Sequence, residues 1–199
     1  FALFFQIQRS LHYIRNFVRG KSNAIERLRI RIWQSIFTQD IRNYREKLKG
    51  KMSEIPTLVF GPAGTRKEKV AQVLALSGYI PFQVDVQSFE FNADNSFFPL
   101  DLSAHEPILA ESQLCGHRQG AFTGARSDLK GKLATCSQYG AIFLKEISQL
   151  AFPLQIKLSQ ILTTREFQPI GDTKKRKFIG KVISGSNTDL TNDMHSGKF

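Results

Sequence analysis

The sequence predicts an α/β fold, a three-layer sandwich in which helices cover both faces of a mostly parallel sheet. Short apolar runs rich in β-formers alternate along the chain with longer runs of helical periodicity, as expected when each strand is followed by a crossover helix. A glycine-rich turn joins the first of these strands to the first helix. The predicted strands are 57–60, 97–102, 141–144 and 178–183, and the predicted helices are 70–76, 103–114 and 153–164.

Residues 1–56 form a predicted basic helical leader ahead of this α/β core. Apolar residues recur there at spacings of three and four, which indicates amphipathic helices that dock onto another surface. Between Arg9 and Lys51 there are 12 Lys or Arg residues and 3 Asp or Glu residues. The basic face is consistent with a nucleic-acid arm or, more commonly, with a solvated helix face. Residues 39–54 are predicted to form an extra helix or a surface loop.

Composition sets limits on the class of protein. The formal net charge of +11 favours polyanionic partners such as nucleic acid, nucleotide or an acidic protein surface, although a basic solvated surface explains it equally. The two cysteines, Cys115 and Cys136, have no spacing that suggests a metal site or a disulfide framework, so a reducing cytoplasm is expected. No apolar run is long enough to span a membrane.

The segment after the first strand has the pattern of a phosphate-binding loop. A strand, a glycine loop, a lysine and a helix follow one another, so that backbone N–H groups face an anion and the lysine reaches the terminal phosphates. Arg66 stands where the general motif has glycine, and its side chain would point outward, add a cation or obstruct the pocket. The residues predicted to form this phosphate site are Gly61, Gly64, Thr65, Lys67 and Glu68.

A second glycine-rich segment, Gly120-Ala121-Phe122-Thr123-Gly124-Ala125, carries one large side chain and cannot fill a core. It is predicted to be a tip that presents Phe122 to a partner. The run 111–125 resembles the ESELFGHEKGAFTGA segment of the NtrC-like activators of sigma-54 RNA polymerase. Further blocks in the family's order extend the resemblance over about residues 18–199, including a GxF match at 197–199.

The resemblance implies a P-loop NTPase core of the AAA+ type. Residues 57–199 would be that core, incomplete at its C-terminal end, with the lid and an arginine-bearing segment beyond Phe199. It further implies ATP as cofactor, a ring-shaped oligomer, a cytoplasmic location, and DNA contact through a domain outside this chain. Sigma-54 RNA polymerase would bind residues 120–125, with Phe122 and Thr123 making the contact.

By resemblance, Glu146 activates the attacking water and Asn187 senses the γ-phosphate. Lys145 occupies the position of the family's Mg²⁺-binding aspartate. Because an ammonium repels a divalent cation and cannot ligate it, Mg²⁺ is expected for the family but doubtful here, and no metal ligand is predicted. The function implied is coupling of ATP binding and hydrolysis to remodelling of sigma-54 RNA polymerase. The alternatives are a hydrolysis-deficient regulatory relative and a basic nucleic-acid-binding module.

Overall fold

The computed structural model describes residues 1–91, 96–195 and 197, so the predicted match at Lys198 and Phe199 lies outside the described residues. The helices are α1 Ala2–Phe17, α2 Asn23–Phe37, α3 Ile41–Asn43, α4 Lys67–Leu76, α5 Pro107–Cys115, α6 Lys132–Thr135, α7 Phe152–Thr164 and α8 Thr191–His195. The strands are β1 Thr57–Phe60, β2 Phe82–Gln83, β3 Ser88–Phe89, β4 Phe97–Leu100, β5 Gly116–His117, β6 Leu129–Lys130, β7 Ala141–Leu144, β8 Glu166–Phe167, β9 Arg176–Lys177 and β10 Lys181–Ser186.

Four strands form the central sheet in the order β1-β10-β7-β4, and every neighbouring pair is parallel. The register places Phe60 beside Ser186, and Leu144 beside both Ser184 and Leu100. Because parallel strands end at the same edge, the residues that follow β1, β7 and β10 are brought together there. This edge carries the candidate nucleotide site.

Side chains of the central strand β7 alternate between two hydrophobic cores. Ala141 and Phe143 lie in a core with the leader and α4, whereas Ile142 and Leu144 lie in a core with α5 and α7. The alternation follows from the two-residue period of a strand buried on both faces. The predicted α/β fold, with helices on both faces of a parallel sheet, is confirmed.

The leader helices pack directly against α4 and share its core. Ile14, Ile32 and Ile36 are among the buried residues of that core, together with Phe37 and Tyr44. Ser22 caps α2 by accepting a hydrogen bond from the N–H of Ile25. The segment 39–54, predicted as an extra helix or a loop, contains α3 and a π-helical turn at Tyr44–Leu48. The leader therefore packs as part of the hydrophobic core in this structure.

Several predicted element boundaries differ from the structure: α4 begins at Lys67 and not at 70, β4 ends at Leu100 and not at 102, and α5 and α7 each differ by one residue at one end. Two further differences concern the start of α5 and the position of β10. The helix predicted from residue 103 begins at Pro107, since proline is favoured in the first turn and cannot donate to a preceding one. The strand predicted at 178–183 is β10 at Lys181–Ser186. Phe178 is buried instead beneath the guanidinium of Arg165, which lies 4.6 Å from the ring centroid.

Within the described residues, no helix combines the length and the apolar character that crossing a membrane would require.

Candidate nucleotide site and partner loop

The phosphate loop lies between β1 and α4 and has the geometry of an anion cradle. Gly64 has φ +80, a conformation that disfavours other residues. Among the described residues, no atom lies within 4 Å of a Cβ built there, so the space beside the backbone is open. The hydroxyl of Thr65 closes the turn by donating to the carbonyl of Pro62 at 2.8 Å. The amide of Lys69 donates to the carbonyl of Arg66 at 2.9 Å, whereas the amides of Lys67 and Glu68 precede the first helical acceptor. A phosphate group therefore fits this loop.

Lys67 connects the three strand ends at this site. Its ammonium donates to the carbonyl of Gly61 at 2.9 Å and to the side-chain oxygen of Asn187. It lies 3.9 Å from the carboxylate of Glu146, and only 11% of its side chain is exposed. The structure thus brings together Lys67, Glu146 and Asn187, which lie on three segments far apart in the sequence.

Glu146 is held at the end of β7 by its backbone and by β10. Its backbone has φ 46 and ψ 54, a left-handed conformation that costs an ordinary residue about 1–3 kcal/mol and is concentrated at functional sites. Its carboxylate accepts a hydrogen bond of 3.2 Å from the backbone N–H of Asn187. The carboxylate is thereby oriented toward the phosphate loop while 22% of the side chain stays exposed.

The position next to Glu146 carries a cation that is already paired. The ammonium of Lys145 lies 2.8 Å from a carboxylate oxygen of Glu68, the residue after the phosphate-loop lysine. The residue that faces Glu68 is therefore an ammonium. A metal-binding site would need a carboxylate at that position. In the part of the chain that the structure describes, no three His, Cys, Asp or Glu residues group as metal ligands. The residues at this site fit a phosphate and do not fit Mg²⁺.

Arg66, the departure from the phosphate-loop motif, has φ 61 and ψ 37. The backbone keeps the left-handed conformation that glycine would adopt there, although a non-glycine residue carries a cost for it. The side chain is exposed. Gly64 and Thr65 beside it are exposed as well, so the three outcomes expected for this side chain stay predictions.

The glycine-rich segment 118–128 is carried on a two-stranded arm, β5 and β6. The arm begins where Gly116 and Gly131 touch: a Cβ on Gly131 would lie 2.2 Å from the N of Gly116. No side chain larger than hydrogen fits at that crossing. The sequence prediction singled out the loop but missed these two glycines, which set the position of its base.

The tip of this segment is folded compactly in this structure. Gly120 donates to the carbonyl of Ala125 at 2.9 Å, and Ala125 donates to Phe122 at 3.0 Å. Phe122 is half-buried, with its ring 5.0 Å from that of His117 in an edge-to-face arrangement. Thr123 is exposed. Phe122 is thus only partly exposed, because its ring packs against the arm, and its contact with a partner stays a prediction.

A cluster of charges that the sequence did not indicate links this loop to the turn between β8 and β9. Arg118 pairs with Asp128 at 2.6 Å and with Asp172 at 3.1 Å, and Arg176 also pairs with Asp172. The backbone N–H of Lys174 and the guanidinium groups lower the pKa of Asp172. These partners are up to 54 residues apart in the sequence, so no local pattern could have predicted the link.

Comparison with known proteins shows the family and the fold of this chain. The family model of the sigma-54 interaction domain matches residues 34–199, which leaves 18–33 of the predicted resemblance outside the match. The anaerobic nitric oxide reductase transcription regulator NorR of Escherichia coli strain SE11 is 33% identical over 147 residues, covering 74% of this chain and 27% of NorR. NorR of Shigella sonnei strain Ss046 has the same identity and coverage. The chain thus spans about a quarter of the length of these relatives.

Solved structures of NtrX from Brucella abortus share the fold. One has a TM-score of 0.67 at 20% identity and covers 98% of this chain and 37% of NtrX. NtrX in complex with ATP superimposes with a TM-score of 0.66 at 20% identity, over 98% of this chain and 36% of NtrX. With the family match covering most of the chain, the protein belongs to the sigma-54 interaction domain family and has the fold of an AAA+ P-loop NTPase core.

Proposed function

We propose that this chain is the ATP-binding domain of a sigma-54-dependent transcription regulator and that it engages sigma-54 RNA polymerase through residues 120–125. The observation that carries the proposal is the meeting of Lys67, Glu146 and Asn187 beside an open phosphate loop. Family membership supports the partner, and NtrX in complex with ADP and with ATP supports the nucleotide. Self-association into a ring and DNA contact through another domain belong to the same proposal.

Each residue of the cluster has a distinct role in this proposal. The loop amides and Lys67 bind the phosphates, and Lys67 exchanges its present carbonyl partners for phosphate oxygens. Glu146 orients and polarises a water molecule. Asn187 bonds to Lys67 through its side chain and to Glu146 through its backbone N–H. When a bound phosphate displaces Lys67, Asn187 therefore transmits the change to the carboxylate of Glu146.

A second candidate function is nucleotide binding with poor hydrolysis, in a regulatory or structural subunit. The ion pair between Lys145 and Glu68 favours it, because the ammonium stands in place of a Mg²⁺ ligand and its charge is already paired, so the charge neutralisation that Mg²⁺ supplies in phosphoryl transfer is lost. In a subunit of this kind, ATP binding alone, without hydrolysis, would be the regulatory signal. A site that keeps its phosphate contacts but lacks a metal ligand is expected to retain its affinity for ATP and to hydrolyse ATP slowly.

ATP binding is tested by equilibrium titration of the wild type and of Lys67→Gln, which removes the charge that contacts phosphate. We expect at least tenfold weaker ATP binding by the variant. Lys69→Gln is the matched control, because Lys69 lies on the same helix but bonds to Gln72 and rests over Phe17. Equal affinities for the wild type and Lys67→Gln would contradict the proposal. Nucleic-acid binding that falls steeply with salt and is unaffected by ATP would support the basic-module alternative instead.

The partner contact is tested by capture of purified sigma-54 in the presence of a non-hydrolysable ATP analogue. We expect Thr123→Ala and Phe122→Ala to lose at least tenfold in sigma-54 affinity. Phe152→Ala is the control, since Phe152 is an exposed phenylalanine outside the loop, at the start of α7. Loss of affinity in Phe152→Ala equal to that in Phe122→Ala would show that the loop is not the contact.

A further inference from the structure

Two carboxylates beside the phosphate loop are each paired with a lysine. The carboxylate of Glu146 lies 3.9 Å from the ammonium of Lys67, and the carboxylate of Glu68 lies 2.8 Å from the ammonium of Lys145. A divalent cation that bound to either carboxylate would have to break an ion pair and would then lie next to an ammonium. Because like charges at short range repel strongly, this edge of the sheet disfavours a metal ion.

A third carboxylate at the same edge does not change this balance. Asp101 follows β4 and Lys145 follows β7, which is the neighbouring strand, in register. The carboxylate of Asp101 accepts a hydrogen bond of 2.8 Å from the hydroxyl of Ser103. Neighbouring strands are only about 5 Å apart, so a cation at Asp101 would also meet the charge of Lys145. In the described part of the chain, Asp101 belongs to no group of three metal-ligating side chains.

The ammonium of Lys145, in contrast, is accessible to an anionic ligand. Its side chain is 35% exposed, and the side chain of Glu68 is 46% exposed. Through Glu68 it reaches from the end of β7 to the first turn of α4, where backbone N–H groups are free to bind an anion. An ammonium carries three N–H donors, and the pair with one carboxylate does not use all of them. A donor therefore remains for a phosphate oxygen.

The two lysines favour the more highly charged form of a nucleotide. Metal-free ATP carries a larger negative charge than its Mg²⁺ complex, and its phosphate oxygens are not shared with a cation. Lys67, with 11% of its side chain exposed, lies where Coulomb attraction is screened less than at an open surface. The attraction of Lys67 and Lys145 therefore increases with the charge of the phosphates, and a bound divalent cation would weaken it.

We propose that this site selects metal-free ATP over the Mg²⁺ complex of ATP and that Lys145 determines the selectivity. Lys145 donates to a phosphate oxygen while it remains paired with Glu68, and Lys67 binds the phosphates beside it. The ligand class is thus a nucleoside polyphosphate without a metal ion. This inference rests on the proposed ATP binding and adds to it the metal state of the ligand.

The test is a calorimetric titration of the full chain with ATP, once with excess EDTA and once with excess Mg²⁺, at equal ionic strength. We expect ATP to bind about fivefold or more tightly in EDTA, because the ligand then keeps its full charge. Equal affinities, or tighter binding with Mg²⁺, would overturn the inference and leave the proposed function standing. Absence of ATP binding in both buffers would overturn the proposed function, and the inference with it.

A variant of Lys145 and a matched control assign the selectivity to this residue. Lys145→Met removes the ammonium at similar length, so the two ATP affinities should come to within about twofold of each other. Lys69→Gln controls for general positive charge, because Lys69 lies on the same helix but rests over the ring of Phe17. It should keep the wild-type ratio of affinities. An unchanged ratio in Lys145→Met, or an equal fall of the ratio in Lys69→Gln, would overturn the inference.

Glu68→Gln provides a second variant, in which Lys145 is kept. It releases the ammonium from its carboxylate partner, so the preference for metal-free ATP should increase by about twofold or more. Each result is a ratio of two affinities of one protein, so a loss of stability common to both buffers cancels. An unchanged or smaller preference in Glu68→Gln would contradict the role given to Lys145.

Discussion

The ammonium of Lys145 lies 2.8 Å from the carboxylate of Glu68, and this pair links the end of β7 to the first turn of α4. Both side chains are about one-third to one-half exposed, so the pair contributes little to stability, on the order of 0.2–1 kcal/mol. Its importance is local. The pair neutralises the charge of Glu68 beside the phosphate loop without a metal ion.

The Lys145→Asp substitution is expected to create Mg²⁺-dependent ATP hydrolysis. It replaces the ammonium with a carboxylate that can bind the metal and leaves Glu146 in place to act on water. We expect at least a tenfold gain in phosphate release over the wild type when Mg²⁺ is added. Continuous measurement of phosphate release with and without Mg²⁺ provides the check.

Lys145→Met is the matched control for this gain, since it removes the charge without adding an oxygen ligand for the metal. No Mg²⁺-dependent increase is expected from it. Mg²⁺-dependent turnover in the wild type as fast as in Lys145→Asp would show that Lys145 does not limit hydrolysis.

The Arg66→Gly substitution is expected to stabilise the fold. Arg66 has φ 61, and the left-handed conformation costs a non-glycine residue about 1–2 kcal/mol. Glycine removes this cost, although the greater freedom of the unfolded chain offsets about 0.4–1 kcal/mol. Urea denaturation should show a net gain of about 0.5–1 kcal/mol. Arg66→Ala keeps the strain and removes the same charge, so an equal gain in that variant would point to charge instead of backbone conformation.

The contact between Arg118 and Asp172 is expected to restrain the partner loop. Asp172 accepts from Arg118 at 3.1 Å and from Arg176 at 3.0 Å, and its side chain is only 7% exposed. Asp172→Asn removes the charge, so amide hydrogen exchange in 118–128 should become about tenfold faster. Glu166→Gln, which loses a longer 3.6 Å pair with Lys175, is the control. Equal exchange in the wild type and Asp172→Asn would exclude this restraint.

The two buried cysteines are expected to make stability fall at alkaline pH. Burial raises the pKa of Cys115 and of Cys136 to about 12, against roughly 8.5 in an unfolded chain. Above about pH 8.5 the unfolded chain ionises while the folded chain does not, so the free energy of unfolding falls as pH rises toward 12. At pH 10 the loss is about 2 kcal/mol for each cysteine relative to pH 8.

The measurement compares urea denaturation of the wild type and of the double variant Cys115→Ala, Cys136→Ala at pH 8 and pH 10. Contributions of other titrating groups, including Lys181 and Tyr44, are common to both proteins and cancel in the difference. The variant should have the flatter pH dependence. Parallel pH dependences would mean that the thiols ionise equally in both states.

Local sequence patterns were sufficient for the main elements of the fold. The strands at 57–60 and 141–144 were predicted to the residue, because an apolar run bounded by a glycine turn and by polar residues leaves little choice of boundary. The phosphate loop and the cation at Lys145 could also be recognised, since each depends on a few consecutive residues. Elements with weaker boundaries, such as β10, were placed three residues away from their observed position.

The sequence by itself therefore determined that the chain alternates strands and helices, carries a glycine-lysine loop and has a lysine beside Glu146. Only the tertiary structure decided that Lys145 pairs with Glu68, that Phe122 packs on His117, and that Arg165 and Ser77 line one cavity. The physical reason is separation along the chain. These partners meet because the sheet and its covering helices bring distant segments together, and neither periodicity nor a short motif records which distant side chains will face each other.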